Sequence, residues 1–199
     1  MIALLDYRAG NLTSVKKALA AIGADVFVPE APGDLEKARR IIVPGVGHFG
    51  ATRTLDEGWV SAIRSRLAGG CPLLGICLGM QWLYESSDEA PELTGLGILP
   101  GRCYKLGVVA PLKVPHVGWN SVTLVRNDAS IVDGVASGAQ VYFTHSYVAP
   151  ITGDTAATTE HGDAFAAIVE RGRVAGVQFH PEKSGDVGLQ ILRNFVRAV

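Results

Sequence analysis

Apolar residues recur along the first half of the chain in two alternating rhythms. Short apolar runs at 2–5, 24–28, 41–43 and 72–76 read as buried strands. Between them Leu12, Val15, Leu19 and Ile22 stand at helical spacing until Gly23, with Asn11 where a helix cap is expected. Asp34 is expected to cap a short helix, and 51–67 to form a longer one with a break near Gly58. Strands alternating with helices predict a doubly wound parallel sheet. After Glu85 the helical rhythm disappears. Short strands are expected over 98–106, 112–114, 121–125, 141–148, 156–159, 164–170 and 174–179, separated by Gly, Pro and Asp. From Asp186 onward Val187, Ile191, Leu192, Phe195 and Val196 return to helical spacing. The expected fold is therefore α/β: a doubly wound, mostly parallel sheet with helices on both faces, plus an antiparallel extension or small second sheet. No repeat or linker interrupts the pattern, so a single domain over 1–199 is expected.

Composition narrows the function classes. The 199 residues are 48% hydrophobic and carry a formal net charge of -1, with no basic block. Nucleic acid and membrane surfaces gain no electrostatic attraction from such a chain. The apolar start at Met1–Leu5 lacks a basic flank and the length of a signal, and no run approaches the ~20 residues of a membrane span. The cysteines are Cys71, Cys77 and Cys103, an odd and sparse set. That argues for a reducing cytoplasm over a disulfide framework, and the spacing matches no metal site. No metal or cofactor is expected.

The candidate chemistry centres on Gly75-Ile76-Cys77-Leu78-Gly79-Met80-Gln81. A strand running into a cysteine between two glycines is a nucleophile elbow with sulfur in place of oxygen. A helix starting after Cys77 would favour the thiolate, and the N–H of Leu78 would face a developing oxyanion. Taken alone, Cys77 reads equally well as a buried structural cysteine. The second half of the chemistry comes a hundred residues later, in Gln178-Phe179-His180-Pro181-Glu182. A cysteine nucleophile needs a base, and the base needs a group that fixes its tautomer. His180 and Glu182 can supply both, with Pro181 stiffening the turn between them.

These two segments together resemble the triad glutaminase domain of the class-I glutamine amidotransferases. The resemblance implies Cys77 as nucleophile, His180 as general base and acid, and Glu182 as orienter. It also implies a glutamine site of Gly45, Gly79, Gln81 and the Thr144-His145-Ser146-Tyr147 segment. Three more segments resemble one branch, the glutaminase subunits of imidazole glycerol phosphate synthase. They are Asp6-Tyr7-Arg8-Ala9-Gly10-Asn11-Leu12, Pro44-Gly45-Val46-Gly47 and Val114-Pro115-His116-Val117-Gly118-Trp119-Asn120. Val46 and Gly47 join Leu78 as candidate oxyanion residues. In this reading the loop rests with a carbonyl toward the site and turns an N–H inward when a partner binds. His48 beside the loop is expected at the surface. The implied partner is a separate (β/α)8-barrel cyclase that takes the ammonia in a heterodimer. Tyr7, Asn11, His116, Trp119, Asn120 and Lys183 are the candidate contacts. A donor for another ammonia-using synthase and a non-catalytic amidotransferase-like binding module are the alternatives.

Overall fold

The computed structural model describes residues 1–10, 12–107 and 110–197. Strand β1 (Ile2–Leu4) leads to helix α1 (Leu12–Ala21), β2 (Val26–Phe27), β3 (Arg40–Val43), α2 (Glu57–Ala68), β4 (Leu73–Ile76) and the short α3 (Leu78–Trp82). A run of strands follows: β5 (Ser86–Ser87), β6 (Arg102–Lys105), β7 (His116–Ser121), β8 (Thr123–Leu124), β9 (Gln140–His145) and β10 (Tyr147–Val148). Then come β11 (Thr155–His161), β12 (Asp163–Arg171), β13 (Val174–Val177) and α4 (Gly185–Arg197). The main sheet has the order β2-β1-β3-β4-β13-β12-β11-β8. Its pairings are parallel from β2 through β13 and antiparallel from β13 through β8. Two smaller sheets complete the fold, β10-β6-β5 and the antiparallel ribbon β7-β9. This is the expected doubly wound sheet with its antiparallel extension.

Period-2 alternation along the central strands divides the core. Ile42, Leu74 and Ile76 face one layer with Leu19, Phe179, Ile191 and Phe195, while Ile41, Val43 and Leu73 face the other with Phe49, Ile63, Trp82 and Tyr84. Every residue of β4 is buried, as a strand covered on both faces requires.

Several local expectations are corrected. Residues 51–67 are not one helix but a 3-10 turn, Phe49–Thr54, followed by α2. The break falls at Leu55–Asp56, because the Asp56 carboxylate accepts the backbone N–H groups of Gly58 and Trp59 and starts a new helix. Asp34 is not the N-cap, which is Ala31; it is the third residue of the turn Pro32–Lys37 and caps it from within, its carboxylate accepting from the amides of Glu30 and Ala31. The strand expected at 112–114 is absent, and pairing begins at His116, after Pro115, which has no N–H to donate. The strand expected at 98–106 shrinks to β6. Asn11, the expected cap of α1, lies outside the described residues. Among the described residues no helix is long and apolar enough to cross a membrane.

Candidate active site

The parallel strands present one carboxyl-end edge, where ligand sites of doubly wound sheets form. The loop after β1, the Pro44–Gly47 loop after β3, Cys77 after β4 and His180 after β13 all emerge there. Close backbone packing fixes the elbow. A Cβ on Gly79 would lie 1.8 Å from the Val43 carbonyl oxygen, and one on Gly75 would lie 2.6 Å from that of Gly79. The helix end therefore rests directly on the ends of β3 and β4. Cys77 takes φ +52° and ψ -108°, a conformation that side chains rarely adopt. Such strain costs about 1–3 kcal/mol and lifts the side chain out of the sheet.

The triad turn is equally fixed. The backbone N–H of His180 donates to the Tyr142 carbonyl at 2.9 Å, and the Ser184 hydroxyl donates to the His180 carbonyl at 2.6 Å. Gly188 lets α4 approach the turn, since a Cβ there would lie 1.9 Å from the Pro181 carbonyl oxygen. His180 Nδ1 and Glu182 Oε1 are 2.8 Å apart, and both side chains are buried. A carboxylate only accepts, so Nδ1 carries the proton and Nε2 is left for the sulfur. Among the described residues Nε2 makes no conventional hydrogen bond, and its electrostatic partner is Cys77. Burial opposes the charged imidazole, but the interaction with Cys77, the hydrogen bond to Glu182 and the charges of both outweigh it and push the His180 pKa up to about 10. A charged imidazolium held between Cys77 and Glu182 is the state this favours. Cys71 and Cys103 are buried, and burial pushes both thiols up, toward inertness.

Cys77 opens into a cavity of about 290 Å³ lined by Val46, Gly47, Leu78, Gln81, Glu89, Pro115 and the Thr144–Tyr147 segment. Of the residues expected at the oxyanion and glutamine sites, all but Gly45 and Gly79 line this cavity. Gly45 and Gly79 lie beneath, as packing points of the elbow. The Leu78 N–H is already engaged: it donates to the Gly45 carbonyl at 3.2 Å. Gly47 is exposed with φ +108°. His48 is exposed, and its Nδ1 accepts the Gly50 amide at the start of the next turn.

Two expected partner contacts are buried. Tyr7 is 4% exposed, and its hydroxyl lies under the Pro44–Gly47 loop, 2.0 Å from where a Gly45 Cβ would stand. The apolar ring is drawn into the core, so it braces the loop and offers no side chain to another protein. His116 is also 4% exposed, stacked on His161 and Phe143. Its Nδ1 donates to His145 Nε2 at 3.1 Å, and His145 Nδ1 donates to the Tyr147 carbonyl at 3.1 Å. Burial, with the neighbouring histidine charge, pulls His116 down to about 4 and His145 to about 3, so both stay neutral. Trp119, by contrast, is 57% exposed, edge-on to Tyr142, and Lys183 lies over the same Tyr142 ring at 5.6 Å. Asn120 is half-buried and donates to the Glu160 carbonyl at 2.9 Å. Asn11 lies outside the described residues.

Sequence reasoning gave no role to two residues here. Glu89 lines the cavity and accepts the Phe49 amide at 2.6 Å. Gln178 points its amide at Cys77. The signal for Gln178 was its position two residues before His180, on the same face of an extended segment.

The family model for glutamine amidotransferase class-I matches residues 3–199. The chain belongs to the class-I glutamine amidotransferases. Within that family the amidotransferase groups with the subunits named HisH of imidazole glycerol phosphate synthase. It is 46% identical to the one from Moorella thermoacetica, over 98% of this chain and 93% of that protein. It is 41% identical to the chloroplastic imidazole glycerol phosphate synthase hisHF of Arabidopsis thaliana, over 98% of this chain but 34% of that longer protein. A solved glutamine amidotransferase shares the fold with a TM-score of 0.75 at 23% identity, covering 98% of both chains. The amidotransferase is an enzyme of glutamine hydrolysis.

Proposed function

We propose that the whole chain acts as one cytoplasmic glutaminase domain in histidine biosynthesis, with Cys77, His180 and Glu182 as its triad. The Cys77 thiolate attacks the side-chain carbonyl of L-glutamine, forming a C–S bond and an oxyanion. As the C–N bond breaks, His180 gives its proton to the leaving nitrogen and ammonia departs. A water then loses its proton to His180 and attacks the thioester, releasing glutamate and the thiolate. Glu182 holds the imidazole in register and stabilises its charge. The observation that carries this reading is the cysteine at a positive-φ elbow, facing the buried His180–Glu182 pair at the head of a cavity.

The oxyanion site supports a resting state. Leu78 donates its N–H to Gly45 instead of to solvent or substrate. Turning the Gly45–Val46 peptide would release Leu78 and aim the N–H of Val46 inward. The expected trigger is a separate (β/α)8-barrel cyclase that takes the ammonia onto its nucleotide substrate. Exposed Val117 and Trp119 with Lys183 and Asn120 form the face offered to it.

Reconstitution tests the reading. The chain, a purified cyclase and the cyclase nucleotide together should make product from glutamine, and neither protein alone should. A complex carrying Cys77→Ala should make product from ammonium salts only. Product from glutamine with Cys77→Ala, or no effect of the cyclase on glutamine turnover, would overturn it.

A further inference from the structure

The hydrogen bonds around the nucleophile include one that the triad does not use. Gln178 is fully buried, and its Nε2 donates to Cys77 Sγ at 3.6 Å. The amide cannot turn over freely. Its Oε1 accepts from Gln81 Nε2 at 3.1 Å, and that same Nε2 donates to the Tyr147 carbonyl at 2.8 Å. A carbonyl oxygen only accepts, so Gln81 must present its nitrogen, and Gln178 must then present its oxygen to Gln81. What remains to Gln178 is an N–H directed at sulfur. The backbone reinforces this, since the Gln178 N–H donates to the Ala167 carbonyl at 2.9 Å and anchors the residue to the next strand.

We propose that Gln178 is a positioning residue for the nucleophile, its side-chain amide locked by Gln81 so that a neutral N–H holds and stabilises the sulfur as thiolate. This rests on the reading of Cys77 as nucleophile. An anionic sulfur is a better acceptor than a thiol, so the donor favours the charged form. It also fixes the side-chain rotamer without bringing another charge beside His180. The role differs from that of Gln81 as a substrate contact, because it acts before glutamine arrives. The ionisable groups around the sulfur are His180 and Glu182 behind it, Tyr7 from the loop after β1, and His145 and Glu89 in the cavity wall. None of these groups is itself removed when Gln178 is changed.

The test is the pH dependence of Cys77 alkylation by iodoacetamide in the full chain without glutamine. All three thiols are buried, but Cys77 alone of them lines the cavity, and burial pushes the Cys71 and Cys103 thiols up, so Cys77 is the thiol that reacts first. Gln178→Met removes the donor at similar length. It should move the alkylation midpoint up by about one pH unit, a tenfold loss of thiolate at lower pH. It should also cut kcat about tenfold with little change in KM. Gln81→Met, at a less enclosed position, should move the midpoint the same way by a smaller amount, and it keeps the test open if Gln178→Met does not fold. An unchanged midpoint in the folded variants, with Cys77→Ala still inactive, would refute the role of Gln178 alone. Turnover retained by Cys77→Ala would refute the nucleophile reading instead.

Discussion

Replacing Val46 with proline tests the coupling of the two subunits at one atom. Proline fixes φ and removes the N–H of residue 46, so the Pro44–Gly47 loop can no longer supply the donor proposed for the oxyanion. The magnitude follows from the resting geometry. The 3.2 Å bond from Leu78 to the Gly45 carbonyl has to break before either N–H reaches an oxyanion, at a net cost of about 1 kcal/mol. One donor aimed at a developing oxyanion is worth about 2.7–4 kcal/mol, or on the order of 10²–10³ in rate. Turning the peptide recruits Val46 and frees Leu78 together, so the gain stays above about 2.7 kcal/mol, roughly a hundredfold. A ligand with that much differential affinity for the turned state can drive the change. The assay is glutamate release at saturating glutamine, by the chain alone and with cyclase plus its nucleotide. The wild-type pair should exceed the free chain by at least about a hundredfold. The Val46→Pro pair should stay near the free-chain rate while keeping its affinity for the cyclase. Full-speed hydrolysis by the free chain would refute the reasoning, and so would normal stimulation of Val46→Pro.

Further outcomes are expected. His180→Ala should abolish turnover about as fully as loss of Cys77. Glu182→Gln, which keeps an acceptor beside Nδ1, should cost at least about tenfold less than His180→Ala in kcat/KM, and equal losses would refute the orienting role. Thermal stability should fall as the pH drops from about 6.5 toward 4, because His116 and His145 take up protons when unfolded but hold pKa values of about 4 and about 3 when folded. His145→Asn should flatten that fall in a Tm–pH series. At the other end His180 acts oppositely: with its folded pKa raised to about 10, its stabilisation is complete below about pH 6.5 and lost as the pH rises through about 10. Gly79→Ala should destabilise the chain by several kcal/mol in urea unfolding, on the order of the worst core substitutions, because its methyl would collide with the Val43 carbonyl 1.8 Å away.

How legible each part was depended on whether local pattern or tertiary contact decided it. The parallel half of the sheet was readable because buried strands are continuous apolar runs, as at Leu73–Ile76. The elbow was readable because Gly75 and Gly79 flank one cysteine at the spacing that close packing demands. The pairing of His180 with Glu182 followed from their separation of two across a proline. Gly58 marks an expected helix break, but the carboxylate of Asp56 accepts the amides of Gly58 and Trp59 and sets the helix start just ahead of it. Ribbon β7 was missed because Pro115 and Gly118 interrupt its pattern, while its pairing with β9 supplies the order. Tyr7 and His116 are expected at a partner surface because they lie in two of the segments whose resemblance implies the partner. Their rings are buried instead, and no sequence period reveals which end of an amphipathic side chain is covered. The engaged Leu78 N–H depends on a contact between loops more than thirty residues apart, which no local pattern encodes.

The covalent intermediate gives the most direct test of the central claim. Wild-type chain, with cyclase and nucleotide, is mixed with glutamine, quenched in acid during turnover and digested for tandem mass spectrometry. The account predicts a γ-glutamyl thioester on the peptide containing Cys77, absent without glutamine, and no adduct or ammonia release with Cys77→Ala. Ammonia release without that adduct, or an adduct on another residue, would contradict it.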